Sequence, residues 1–193
     1  MEKDPKVIRT FIAIDVSEEV KKDLENLQQT FMPYATGIRW VRPEGIHLTL
    51  KFLGNVAIDR IPDIESALVN VARDHTPFRL KPKGCGAFPS LKNIRVLWVG
   101  LDGDLDQVRK LYGDIENAME QLGFPREERD FKPHLTLGRA KNVTRNDRIS
   151  KALATSLNFE SSPFLVEEVI LFKSTLTPSG SVYTRLSVIK LSR

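Results

Sequence analysis

The chain has 193 residues, 41% of them apolar and 28% charged, with a formal net charge of +4. That suits one medium domain with a sizeable core, and the two charge signs are too evenly spread for a disordered or low-complexity chain. The lone cysteine, Cys85, cannot form an internal disulfide, the first five residues are charged and polar, and no apolar run is long enough to span a bilayer, so a membrane protein or secreted disulfide scaffold is not expected and a cytoplasmic location is.

Val7 to Ile14 is rich in β-branched and aromatic residues and predicts a strand. Ser17 follows as a candidate N-cap, with Glu18 and Glu19 suited to a helix N-terminus. Val20, Leu24, Leu27 and Phe31 then form one apolar helical stripe, ended by Pro33 and Gly37. Ile38 to Val41 reads as a short extended segment, Pro43 to Gly45 as a turn, and Ile46 to Leu53 as a strand stopped at Gly54. A second helix is expected from Asp59 to Arg73, then extended chain from Phe78 to Phe88 and from Ile94 to Leu101. Val108, Leu111, Ile115, Met119 and Leu122 mark a third helix that stops at Gly123. A strand is expected from His134 to about Arg139, and a short helix capped by Thr144 or Asn146. Two last strands, Phe164 to Phe172 and Ser181 to Leu191, flank a turn at Pro178–Gly180.

This order repeats. His47 to His134 spans 134 − 47 = 87 residues, and Asp15 to Asp102, each closing the strand before a helix, spans 102 − 15 = 87. The expected fold is therefore α+β: a duplicated unit with pseudo-twofold symmetry, mainly antiparallel sheets, outer helices and a central cleft between the copies, all within one domain over residues 1–193.

His47-Leu48-Thr49-Leu50 and His134-Leu135-Thr136-Leu137 are identical. On a strand, residues two apart share a face, so each copy offers an imidazole and a hydroxyl together and turns its leucines to the core. A single strand histidine is usually structural; two identical tetrapeptides at equivalent places in a duplicated chain with three histidines are not. Histidine titrates near neutrality, so one imidazole can take a proton from water while the other gives one to a leaving oxygen. Threonine hydroxyls can hold the non-bridging oxygens of a phosphate. No metal-ligand spacing, Walker loop or dinucleotide fingerprint is present, and no metal or cofactor is expected. Cys85 reads as an inert packed thiol and His75 as a surface or capping residue. Arg42, Lys51, Lys132 and Arg95 read first as solvated charges, with a phosphate backbone as their alternative partner.

The segments Trp40–Gly54 and Phe131–Arg139 resemble the two signatures of the 2H phosphoesterase superfamily. Arg9–Asp15, Arg95–Gly100 and Leu171–Ser174 are also similar to its RNA 2′,3′-cyclic phosphodiesterase branch, the 2′-5′ RNA ligases. The resemblance implies a bilobal fold with the histidines in a central groove, and metal-independent opening of an RNA 2′,3′-cyclic phosphate to a 2′-phosphate. It implies His47 as proton donor and His134 as proton acceptor, a distinction the symmetric sequence does not make. Thr49 and Thr136 would hold the phosphate, and Arg139 and Phe11 would sandwich the terminal base. Arg139, five residues past His134, would point away from the cleft in a regular strand, so a bend or the strand's end has to turn it inward. Phe11 reads equally well as core. The implied partner is RNA or a tRNA fragment with a cyclic phosphate end, met by a monomer. The alternatives are the reverse 2′-5′ ligation, hydrolysis of a small cyclic nucleotide or 2′-5′ oligonucleotide, and a non-catalytic RNA-binding module.

Overall fold

Alternation along the first strand, β1 (Val7–Asp15), sets the plan of the molecule. Ile12 and Ile14 enter the main core, while Phe11 and Ala13 enter a small second cluster on the opposite face. The computed structural model describes residues 6–144, 147–178 and 180–192. Helix α1 (Glu18–Phe31) begins where the Ser17 hydroxyl accepts from the Val20 amide at 3.3 Å, and its whole apolar stripe is buried. There follow β2 (Ile38–Trp40), a single 3₁₀ turn at Pro43–Gly45, β3 (His47–Ala57) and α2 (Ile61–Ala72). Next come β4 (Phe78–Ser90), β5 (Asn93–Gly103), α3 (Leu105–Gln121), β6 (His134–Thr144) and α4 (Asp147–Thr155). Three strands close the order: β7 (Phe164–Val166), β8 (Glu168–Thr177) and β9 (Gly180–Lys190). Asn146, one of the two candidate caps, lies outside the described residues, as does Ser179 in the last turn.

The strands pair antiparallel in one sheet, ordered β7-β4-β5-β6-β3-β1-β8-β9, with β2 lying beside β6 on the β3 side. The two tetrapeptide strands, β3 and β6, are thus central neighbours. Both contain eleven residues and open on a histidine. Outward from the centre, β5 answers to β1 and β4 answers to β8. The halves have therefore exchanged strands: β4 pairs with β5 in the half built on the second tetrapeptide, and β8 pairs with β1 in the half built on the first.

Three expectations needed correction. The strand foreseen from Phe164 to Phe172 is two strands: β7 pairs with β4 at one end of the sheet and β8 with β1 near the other. Apolar content alone carried no sign of the break at Glu167. The strand at His47 does not stop at Gly54, because Leu53 and Gly54, the latter at φ 74°, form a bulge that keeps the ladder going to Ala57. His75 is not at the surface; it is 2% exposed, with Nε2 2.9 Å from Asp114, tying the end of α2 to α3.

Candidate active site

Each tetrapeptide is anchored by its leucines. Leu48, Leu50, Leu135 and Leu137 are buried in the main core, so the histidines and threonines must face the other way. Leu48 pairs with Leu135 across the centre of the sheet. That antiparallel register sets His47 against Thr136 and His134 against Thr49, bringing all four expected groups to one cleft.

Both strands bulge at the last leucine of the motif. Opposite β3, the partner of Ile12 is Lys51 and that of Ala13 is Thr49, which skips Leu50. Opposite β6, Leu97 meets Gly138 and Trp98 meets Thr136, which skips Leu137. One extra residue inverts the alternation beyond it. Arg139, on the wrong parity for a regular strand, is returned to the face of His134 and Thr136. The same bulge on β3 turns Phe52 to the cleft, where it pairs with Phe11 and is 60% exposed. Phe52 went unread in the sequence, although the repeat makes it the equivalent of Arg139.

The two imidazoles are held alike. His47 Nδ1 lies 2.8 Å from the Gly45 carbonyl, and His134 Nδ1 lies 2.7 Å from the Lys132 carbonyl. A carbonyl only accepts, so each Nδ1 carries the proton and donates it, leaving each Nε2 lone pair free. The surroundings differ. Phe11 stacks on His47 at 4.7 Å, Phe172 stacks behind Phe11 at 5.1 Å, and Tyr183 meets His47 edge-on at 5.2 Å. Phe11 is 2% exposed, so its ring forms the floor beneath His47 rather than an open face for a base. His134 has an edge contact with Phe88 at 5.1 Å.

Burial pushes the His47 imidazole down to about 4; the Gly45 carbonyl and Asp15 oppose the shift, and Arg139 and His134 add to it. His134 is lowered too, first by burial and then by Arg139, against the pull of the Lys132 carbonyl. The Arg139 guanidinium therefore acts on both rings. Among the described residues, Arg139 has no carboxylate partner, and the Thr49 and Thr136 hydroxyls bond no other protein group. The site thus combines two neutral imidazoles, two free hydroxyls and an unpaired cation, a set suited to an anion that exchanges protons.

Two other residues are accounted for structurally. Lys51, read as a solvated charge, is buried and pairs with Glu116 at 2.8 Å. Its ammonium also donates to the Pro125 carbonyl, and Glu116 accepts from the Glu127 amide, which fixes the loop before His134 against β3. Cys85 is buried, with Sγ 3.0 Å from the Ser156 carbonyl, and burial pushes its thiol up to about 11.

The family model for LigT-like phosphoesterases matches this chain twice, over residues 14–98 and 99–183. The chain is 38% identical to the RNA 2′,3′-cyclic phosphodiesterase of Thermotoga maritima, over 91% of each protein. It is 32% identical to that of Methanothermobacter thermautotrophicus, over 95% of this chain and 99% of the relative. Among solved structures, TT0787 of Thermus thermophilus superimposes with a TM-score of 0.80 at 29% identity, covering 95% of this chain and 98% of that one. The chain belongs to the family of LigT-like phosphoesterases.

Proposed function

We propose that the protein is an RNA 2′,3′-cyclic phosphodiesterase that opens cyclic phosphate ends to 2′-phosphates. The observation that carries this reading is the pair of free Nε2 atoms on matched, carbonyl-anchored histidines, with one guanidinium acting on both. His134 Nε2 takes a proton from water as the water oxygen bonds to phosphorus. The P–O3′ bond breaks, and His47 Nε2–H protonates O3′. The products are a 2′-phosphomonoester and a 3′-hydroxyl, and a proton passes back from His134 to His47 before the next turnover.

The Thr49 and Thr136 hydroxyls and Arg139 hold the non-bridging oxygens, where charge grows in the transition state. With those donors the reaction needs no metal. Exposed Phe52 offers the ring on which the terminal base stacks, and buried Phe11 positions His47 from below. The natural substrate on this reading is an RNA or tRNA fragment, met in the cytoplasm by a monomer whose 1–193 chain is a single bilobal domain. The same groups run the reverse 2′-5′ ligation when a 5′-hydroxyl replaces water.

One observation favours exchanged roles. His47, held near 4, is neutral at pH 7 and suited to be the base, whereas as acid it must gain its proton when the anionic phosphate arrives. A substrate with a bridging sulfur at the 3′ position separates the two, since a thiolate leaves without protonation. On it, the variant lacking the acid regains turnover and the variant lacking the base does not.

The decisive experiment incubates the protein, with EDTA, with a short RNA ending in a 2′,3′-cyclic phosphate. A 2′-phosphate product supports the reading, and an untouched substrate overturns it.

A further inference from the structure

A recess of about 460 Å³ opens beside the histidines, between the Arg39–Gly45 segment and the start of β9. That volume lies within the range of ~300–1,000 Å³ usual for small-ligand sites. It borders the site. Gly45, whose carbonyl holds His47, lines it, as does Tyr183, the ring set edge-on to His47. Arg139 borders it, and Arg39 and Arg42 reach it from the segment that carries β2. Trp40 and Val182 add apolar surface.

The charges there are arranged at a cost. Arg39 and Arg139 are direct partners across the β2–β6 pairing. Like charges facing each other across antiparallel strands repel. Arg185 pairs with Asp15 and Glu168, Arg126 with Glu120 and Arg60 with Asp63, while among the described residues Arg9, Arg73, Arg79 and Arg95 have no carboxylate partner. Among the described residues, no carboxylate pairs with Arg39, Arg42 or Arg139, although Glu44 stands on the same recess. Three unpaired guanidinia around one recess, two of them facing each other, are relieved by anions. Arg39 is one strand spacing from Arg139, about 4.8 Å, so an anion held at Arg39 lies next to one held at the histidines. Two adjacent anions describe a dinucleotide segment.

We propose that this recess binds the nucleotide on the 5′ side of the cyclic end, with its phosphodiester at Arg39 and Arg42. The proposal rests on the cyclic-phosphate reading above. It makes the enzyme selective for oligonucleotide ends over cyclic mononucleotides, by contacts that take no part in the chemistry.

The test compares adenosine 2′,3′-cyclic phosphate with adenylyl-adenosine ending in a 2′,3′-cyclic phosphate. The wild type should favour the dinucleotide by about 10-fold or more in kcat/KM, the worth of one charge-assisted contact. The Arg39→Ala/Arg42→Ala double variant should lose that preference through KM, with a shallower salt dependence, and open the mononucleotide at the wild-type rate. A wild type that opens both substrates equally well overturns this inference and leaves the proposed activity standing. A double variant that slows both substrates equally also overturns it. A wild type that opens neither overturns the cyclic-phosphate reading itself.

Discussion

Phe52 and Arg139 occupy equivalent places on the two central strands, each three residues beyond the threonine of its tetrapeptide and each turned into the cleft by a bulge at the preceding leucine. One unit of the duplication thus supplies a ring and the other a cation at the same place. The division predicts different losses. Phe52→Ala should raise KM about 10-fold with kcat little changed, as expected for one lost stacking contact, and Phe52→Trp should restore it. Arg139→Ala should lower kcat by about 100-fold or more, and Arg139→Lys should restore only part, because an ammonium cannot bind a phosphate through two parallel hydrogen bonds. Steady-state kinetics on one cyclic-ended RNA checks both, and a KM effect at Arg139 alone would refute the division.

Thr49 and Thr136 offer hydroxyls with no protein partner among the described residues, and Val keeps their shape. Thr49→Val and Thr136→Val should each cost about 100-fold in kcat, with melting temperatures unchanged within a few degrees. Serine at either position should recover most of the rate. A loss in stability equal to the loss in rate would reassign the threonines to packing.

The buried imidazoles make stability depend on pH with a definite sign. Folding lowers the His47 pKa from about 6.5 to about 4, so between those values the unfolded chain binds more protons than the folded one. Stability is therefore full above pH 6.5 and falls as pH drops toward 4, and His134 adds to it in the same direction. Thermal melts from about pH 4 to 8 should show this slope in the wild type and a flatter one in His47→Asn. If His47→Asn has the same slope, the proton uptake belongs to other groups. The same lowered values place the kcat/KM optimum for hydrolysis on the acid side of neutrality.

The Lys51–Glu116 pair is buried on both sides and bridges β3 to the loop before His134. Removing one partner leaves a charge without compensation, so Glu116→Ala should cost about 3–5 kcal/mol in urea unfolding. Lys51→Met combined with Glu116→Leu should cost much less than Glu116→Ala alone. Additive losses would show that the two residues act separately.

The helices and the tetrapeptide strands were legible because each rests on a local pattern: the Ser17 cap, the stripe from Val20 to Phe31, the alternation from His47 to Leu50. The duplication was legible because His47 and His134 sit at the same place in equal strands. What local pattern could not carry was the bulges. Leu50 and Leu137 look like ordinary inward residues, yet the extra residue each inserts decides that Phe52 and Arg139 face the cleft. The choice between the two readings of Phe11, core or base platform, was also out of reach, since it depends on Phe172 and Tyr183, far along the chain. Likewise, the break at Glu167 is set by two distant partners, β4 and β1.

The exchange of strands between the halves fixes an order of events during synthesis. His47 is made well before the residues packed around it, for its floor is completed by Phe172 on β8 and its edge by Tyr183 on β9. Until β8 arrives, β1 has an unpaired edge, and an exposed edge is a template for association with other chains. The proposed catalytic centre therefore depends on contacts of high sequence separation, which are the slow kind to form. A nascent chain halted before β8 would hold both histidines without the rings of Phe172 and Tyr183 around His47.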